Sequence, residues 1–353
     1  MPNDELAEYD YELPAELLAK RPNPRRDGSR LLQVNRGRQE LNHLRIDELP
    51  GILTRGDCLV LNDTRVLPAR LFGFRQATGG KWEGLFLNSR PDGLWTMLSQ
   101  SRGKIQVGES IVVRPAHAPN SDRQLLLNLQ HRAADGVWLA GVESQRSSVD
   151  LLDEFGSLPL PPYIGRKLAD DDDSQRYQTT YAQHPGAIAA PTAGLHFTPQ
   201  LLSNCASAGI EHAFVTLHVG IGTFRPITAR TLDEHRMHQE WCRLTADVAE
   251  RLKRVRTRGG RIVAVGTTAV RTLETASRTG ELQAFQGETD IFIRPPYGFH
   301  SVDALLTNFH LPRSSLLLLV AALAGTQLMH RAYAEAIEHR YRFYSYGDAM
   351  LIV

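Results

Sequence analysis

Apolar residues recur along the chain with two different periods, and the switches between them divide it into three stretches. In the first, residues 14–20 read as a short helix with proline at its first position. The run CLVLN, residues 58–62, reads as a buried strand that ends in polar residues. Between 71 and 142 the texture is that of short strands. WEGLFLN and LWTMLSQ flank Arg-Pro-Asp-Gly, LLLNLQ and VWLAGV flank Ala-Ala-Asp-Gly, and VGESIVVRP supplies one more apolar run. Asp-Gly between apolar strands signals a hairpin. About five short strands without a helical stretch predict a small antiparallel barrel or sandwich.

Beyond 149 the pattern alternates again. Residues 151–155 are helix-like, LPLPPYI is a rigid connection, and the acidic run 170–173 reads as a solvated loop. Residues 214–220 read as a strand and 245–258 as a helix. RIVAVGTT is a strand entering a helix, SSLLLLVAALAG is a buried helix, and a helix over 327–340 precedes a last strand over 349–353. There is no internal repeat. This order predicts a mixed α/β main domain, residues 1–70 and 150–353, carrying an inserted antiparallel β-barrel-like domain over 71–149.

Composition narrows the picture only a little. A chain of 353 residues suits two domains. With 40 basic and 39 acidic residues the net charge is +1, which argues against a uniformly basic nucleic-acid binder but leaves room for a local basic patch. Cys58, Cys205 and Cys242 are too few and too scattered for a disulfide framework, a zinc site or an iron–sulfur cluster. No metal and no tightly bound cofactor are expected. The acidic start lacks a signal core, and the apolar run 316–324 falls short of the roughly 20 residues a bilayer requires. The expectation is a soluble cytoplasmic protein with no membrane partner, acting as a monomer.

Candidate chemistry lies in the connections. Asn62, Asp63, Thr64 and Arg65 follow a buried strand, where α/β folds open toward ligands; an Asx turn explains the same residues. APTAGLHFT, residues 190–198, offers Thr192, Gly194, His196 and Phe197 in a nearly uncharged segment where a planar ligand can approach the backbone, or where Phe197 and His196 are simply core. TLHVGIGTFRP carries His218, Gly220, Gly222 and Thr223, but it lacks the third glycine and the following helix of a dinucleotide loop. His235 and His238 do not form a zinc-binding pattern, and an acid/base role beside Glu240 suits them better. In VAVGTTAVRTLE, Thr267 and Thr268 open a helix whose first N–H groups suit an anion such as a carboxylate, with Arg271 one turn in. Asn308, Phe309 and His310 precede the buried helix, and Tyr346 and Asp348 the last strand; the aromatics there either stack on unpaired bases or pack. The helix with Arg251, Lys253, Arg254, Arg256 and Arg258 is the best basic stripe for phosphates, or else a solvated face.

Taken together and in this order, NDTRVLPARL, APTAGLHFT, TLHVGIGTFRP, HRMHQE, GTTAVRTLE, LLTNFHLP and YSYGDAMLI resemble the S-adenosylmethionine:tRNA ribosyltransferase-isomerase family over nearly the whole chain outside the β insertion. The resemblance implies a step of queuosine biosynthesis. S-adenosylmethionine, as cosubstrate, gives its ribosyl group to 7-aminomethyl-7-deazaguanine (preQ1) at the wobble position of tRNA. The ribosyl carbons rearrange to an epoxycyclopentanediol, epoxyqueuosine forms, and adenine and methionine leave. Such chemistry needs a base beside the sulfonium and an acid for adenine, for which His196, His218, His238 and His310 are the candidates. Asp63 and Asp348 are candidates for ribose or base contacts, and Arg65 and Arg271 for the methionine carboxylate or tRNA phosphates. Two departures stand out: Ala269 occupies a place where a serine is expected, and PPYGF at 295–299 reverses the usual Pro-Gly-Tyr order. The competing readings are an RNA methyltransferase using the same cosubstrate and a noncatalytic RNA-binding protein. The insertion's lack of a run of aromatic and basic pairs counts against the second.

Overall fold

The computed structural model describes residues 4–220, 222, 227, 229 and 231–353, and the expected contact residue Thr223 lies outside them. Among the described residues the strands are β1 (Arg30–Asn35), β2 (Glu40–Arg45), β3 (Cys58–Asn62), β4 (Thr64–Val66), β5 (Arg70–Arg75), β6 (Lys81–Ser89), β7 (Trp95–Ser101), β8 (Ser110–Arg114), β9 (Leu125–Arg132), β10 (Trp138–Val142), β11 (His184–Ala187), β12 (Glu211–Leu217), β13 (Glu240–Leu244), β14 (Ile262–Val265), β15 (Phe285–Thr289), β16 (Ala304–Asn308) and β17 (Ala349–Ile352). The helices are α1 (Leu49–Ile52), α2 (Ser148–Phe155), α3 (Asp171–Arg176), α4 (Pro199–Ser207), α5 (Ala246–Thr257), α6 (Thr267–Ala276), α7 (Ser315–Ala324) and α8 (Thr326–Glu338).

Two compact units result. The first comprises residues 1–64, 176–184 and 190–353, the second 65–175 and 185–189. The barrel strands span β5 to β10; the pattern predicts the five from β6 to β10, β5 is a sixth that it does not mark, and the compact unit that holds them runs on beyond 149 through α2 and into α3.

In the first unit nine strands form one sheet, in the order β15-β13-β12-β3-β14-β16-β17-β1-β2. β12, β3, β14 and β16 run parallel, β17 runs antiparallel to β16, and β1 lies parallel to β17. The central strands read as unbroken apolar runs because both faces are covered. Cys58, Val60, Ile262, Ala264, Met350 and Ile352 join the core formed with α5, α6, α7 and α8. Their neighbours Leu59, Leu61, Val263, Val265, Ala349 and Leu351 join the core on the other face, under α1 and α4. α7 is apolar all round for the same reason: it is a core helix. No single described helix is long and apolar enough to cross a membrane.

The second unit contains a closed barrel of six antiparallel strands, ordered β10-β7-β6-β5-β8-β9. Both Asp-Gly turns form where the pattern places them, with Gly93 at φ 82° and Gly136 at φ 86°, the left-handed region that favours glycine. Trp82, Phe86, Trp95, Met97, Leu127, Leu129 and Trp138 are buried in this unit. The Trp95 indole donates to Ser148 Oγ at 2.8 Å, which leaves no buried N–H unpaired there.

Two local expectations are corrected. The 14–20 segment is only a 3₁₀ turn, Ala15–Leu17, with Pro14 ahead of it. The acidic run 170–173 is not a solvated loop but opens α3. Asp170 Oδ1 accepts from the Asp173 N–H at 2.8 Å, and Asp173 is fully buried against Arg166 Nη2 at 2.8 Å. A nearby guanidinium outweighs the tendency of an acidic run to stay in water.

Candidate active site

The parallel strands β12, β3, β14 and β16 all end on one edge of the sheet, where β17 and β1 begin. That edge gathers segments separated by up to hundreds of residues, and strand ends of this kind are where open α/β sheets take ligands.

Asn62, at the end of β3, is a stitch. Its Nδ2 donates to Leu217 O at 3.0 Å and to Thr268 Oγ1 at 3.1 Å, while its Oδ1 accepts from the N–H groups of Thr64 and Leu217. Asp63 is buried; Oδ1 accepts from Thr216 Oγ1 at 2.7 Å, and Oδ2 lies 3.6 Å from His184 Nε2. Burial pushes the Asp63 carboxyl above its usual range, with Thr216, His184 and Arg243 opposing the rise. Arg243 Nη2 lies 3.0 Å from His184 Nε2.

His218 follows β12. Its Nδ1 meets Thr64 Oγ1 at 2.8 Å, and its ring stacks on Trp241, centroids 5.0 Å apart and planes 16° from parallel. Burial, reinforced by His184 and Arg243, lowers its pKa to about 4, so the imidazole is neutral at pH 7. Fixed at Nδ1, it has Nε2 for proton transfer.

On the neighbouring strand β16, Asn308 Nδ2 donates to His196 Nε2 at 3.3 Å and to Asp348 O at 3.4 Å. His196 is only 5% exposed, and burial holds its pKa down at about 4. Asn308 Oδ1 is buried and has no partner among the described residues, as are Thr179 Oγ1 and Tyr181 OH. The latter pair crowds Gly194: a Cβ there would stand 2.2 Å from Tyr181 OH and 2.9 Å from Thr179 Cγ2. Buried polar atoms left unpaired are costly, so these three are places where a polar ligand gains hydrogen bonds. Thr192 is half-buried at the start of a 3₁₀ segment, Thr192–His196, that includes Gly194, and Ala193 packs against Gly266, the cap of α6. Gly266 has φ 86°, and Thr267 and Thr268 open α6 ahead of its first intrahelical bond, Val270 N to Gly266 O.

Other expected contacts are occupied. Arg271 is buried in α6 with Nη1 on Glu240, Nε on Ile291 O at 3.3 Å and Nη2 on Thr289 O at 3.4 Å. The other Glu240 oxygen accepts the Gly220 N–H at 2.8 Å. Arg271 thus ties α6 to β13 and the 218–220 turn, with its charge already matched. Asp348 accepts from Arg30 N, Arg30 Nε, Arg30 Nη2 and Arg342 N, which clamps β1 to the start of β17. The His310 ring meets Thr307 Oγ1 at Nε2, its backbone N–H donates to Tyr333 OH and its carbonyl accepts from Tyr11 OH, and burial lowers its pKa to about 3. Phe197 and Phe309 are wholly buried core rings with no open face for a base. Tyr346 is buried edge-on to Tyr177 at 5.8 Å and lines a small cleft with His196 and Arg26. His238 is exposed, and a Cβ on Gly222 would stand 2.7 Å from its ring. Arg65, in the second unit, pairs with Asp153 at 3.4 Å. The basic stripe on α5 is largely spent: Arg251 and Arg258 pair with Glu211, Arg256 with Asp303 and Lys253 with Glu250.

His184, Arg243, Trp241, Thr179 and Tyr181 were missed in the sequence. Alternation in EWCRL, which sets Trp241 and Arg243 on one face and Glu240 and Cys242 on the other, was the available signal for two of them.

The protein family described as "Queuosine biosynthesis protein" matches residues 6–352. An S-adenosylmethionine:tRNA ribosyltransferase-isomerase of Thermotoga petrophila is 45% identical over 348 residues, 99% of each chain. One from Thermosynechococcus vestitus is 45% identical over 354 residues, 99% of this chain and 96% of that one. The crystal structure of the S-adenosylmethionine tRNA ribosyltransferase of Thermotoga maritima is similar with a TM-score of 0.56 and 37% identity, covering 98% of this chain and 100% of that one.

Proposed function

The chain belongs to the queuosine biosynthesis protein family, and from that premise we infer an S-adenosylmethionine:tRNA ribosyltransferase-isomerase. The ribosyl group of S-adenosylmethionine passes to preQ1 at the tRNA wobble position and is isomerised, giving epoxyqueuosine with loss of adenine and methionine. The observation that supports placing this chemistry at the sheet edge is the convergence there of Asp63, Thr64, His184, His218 and Arg243 in one connected group.

His218 is assigned the proton transfers. Neutral at pH 7, with Nδ1 held by Thr64, it takes the proton from the carbon beside the sulfonium; once charged it is a strong acid and passes a proton to departing adenine. Asp63, a buried carboxyl, supplies the negative partner for the sulfonium. Asn308 Oδ1, Thr179 and Tyr181 take the ribose hydroxyls or the base edge, and Gly194 lets Tyr181 and Thr179 pack against the backbone where a Cβ would displace them. The first turn of α6, at Thr267 and Thr268, takes the methionine carboxylate in place of Arg271. Thr192, Gly220 and Gly222 are assigned to further substrate contacts, and His238, which is exposed, is the reserve for acid/base work. His196 keeps Asn308 oriented. The protein acts as a cytoplasmic monomer without a tightly bound cofactor.

Incubation with S-adenosylmethionine and preQ1-bearing tRNA, with products identified by mass spectrometry, tests the reading. Adenine and methionine with a heavier wobble nucleoside are expected. S-adenosylhomocysteine in their place means methyl transfer and overturns it.

A further inference from the structure

The barrel unit holds a cleft of about 970 Å³ on its outer surface, formed entirely by its own residues. That volume lies at the upper end of ligand-site sizes, roughly 300–1,000 Å³. On β5, Leu71 is fully buried, while Phe72 and Phe74, two residues apart and therefore on one face, are half-exposed and line the cleft. Cross-strand register brings cations beside them: Phe72 pairs with Arg114 on β8, and Phe74 with Lys81 on β6. The Arg114 guanidinium stands 5.9 Å from the centre of the Phe74 ring. Lys81 and Arg102 line the cleft, are exposed, and have no ion-pair partner among the described residues. Two acids line the patch: Glu83 is already engaged by Lys167 at 3.0 Å and Arg70 at 3.4 Å, and Asp122 is exposed, so that Lys81, Arg102 and Arg114 outnumber the one acid left unpaired among the described residues.

We propose that this cleft binds unpaired nucleotides of the tRNA substrate, stacking bases on Phe72 and Phe74 and holding phosphates with Lys81, Arg102 and Arg114. Two open aromatic faces flanked by unmatched cations are the equipment single-stranded RNA requires, since every base has a π-face and every linkage a charge. The cationic rim selects a polyanion over an apolar peptide. The inference rests on the tRNA-modifying reading above and gives the barrel a task within it. Its residues are distributed over three strands and a loop, which explains why no contiguous run of aromatic and basic residues marks them in the chain.

The test uses the full-length protein, preQ1-bearing tRNA, Phe72→Ala/Phe74→Ala and Lys81→Ala/Arg102→Ala double variants, and measurement of tRNA Kd against salt and of turnover. Loss of the stacking faces is expected to raise Kd by roughly 10- to 100-fold. Loss of the two cations is expected to flatten the log Kd–log salt slope by about 1.4, at about 0.7 for each single-strand phosphate. In both, KM for tRNA rises while kcat at saturating tRNA is kept. Wild-type Kd and salt slope in a folded Lys81→Ala/Arg102→Ala variant, whose substitutions are fully on the surface, overturn the proposal even if the phenylalanine variant misfolds. Self-association that both double variants abolish, with tRNA affinity unchanged, makes a second copy of the chain the occupant and likewise overturns it. If the wild type binds tRNA but releases no adenine, the reaction assigned above fails, and the cleft is still judged by the Kd comparison.

Discussion

At the scale of single residues, burial decides which histidines can do chemistry. His196, His218 and His310 are all driven well below the ordinary histidine pKa, to about 4, 4 and 3, and each is neutral at physiological pH. Each of His310 and His218 is held at one ring nitrogen by a threonine, but His310 is the more deeply buried, whereas His218 lies at the strand edge beside Asp63 and His184. His218→Ala is therefore expected to abolish adenine release while tRNA binding, measured by filter retention, stays at the wild-type level. Thr64→Val, which removes the group fixing Nδ1, should lower kcat by about 10- to 100-fold with little change in stability. The same depressed values set a stability profile. An unfolded histidine titrates near pH 6.5 and these titrate lower, so the unfolded chain binds more protons between those values and stability falls as pH drops from about 6.5 toward about 4 and 3. At pH 5 each of His196 and His310 should cost about 2 kcal/mol relative to pH 7, and urea denaturation of His310→Gln should show a shallower loss over that interval. Gly194 carries a different constraint: Gly194→Ala sets a methyl against Tyr181 OH, so the thermal midpoint should fall, and Tyr181→Phe in the same chain should restore part of it.

At the scale of elements, α6 shows how a motif can be read correctly as structure and misassigned as chemistry. VAVGTTAVRTLE does form a strand, a tight turn and a helix, and the first turn of that helix does lie at the ligand edge. Arg271, one turn in, is paired with Glu240 inside the protein. Local periodicity states that Arg271 and Thr267 share a helix face, but it contains nothing about an acid thirty-one positions earlier in the chain. Removing one partner of a buried pair strands the other, so Arg271→Ala should destabilise the protein by about 3–5 kcal/mol in urea titration. A variant of near wild-type stability with a raised KM for S-adenosylmethionine would instead return Arg271 to carboxylate binding. The acidic start of α3 follows the same logic, because buried Asp173 is paired with Arg166.

For the molecule as a whole, chain order and spatial order diverge. The last strand, β17, lies between β16 and β1, so the beginning and the end of the chain complete one sheet. Its residues Ala349 to Ile352 are fully buried and its backbone is paired on both sides. Deleting residues 348–353 is expected to remove the cooperative thermal transition seen by circular dichroism, because two edges would then open inside the core and the Arg30–Asp348 clamp would be lost. The barrel is the opposite case. Four of its six pairings join strands that follow one another in sequence, β5–β6, β6–β7, β8–β9 and β9–β10, and this is why it was legible from turn signals.

The sequence by itself determined the elements with local causes: apolar runs buried on two faces, Asp-Gly hairpins, capped helices, and the family to which the ordered motifs point. It also supplied most of the site residues, because Asp63, Thr64, His218 and Asn308 stand directly at strand ends. Only the tertiary structure decided which of those residues are free. Asp348 and Arg271 were consumed by partners far away in the chain, Phe197 and Phe309 by the core, while His184 and Arg243 were brought in from isolated positions. The division has a physical origin. Propensity, capping and periodicity act between neighbours along the chain, whereas a side chain's charge, solvation and pKa depend on whatever the folded backbone sets within a few ångströms of it.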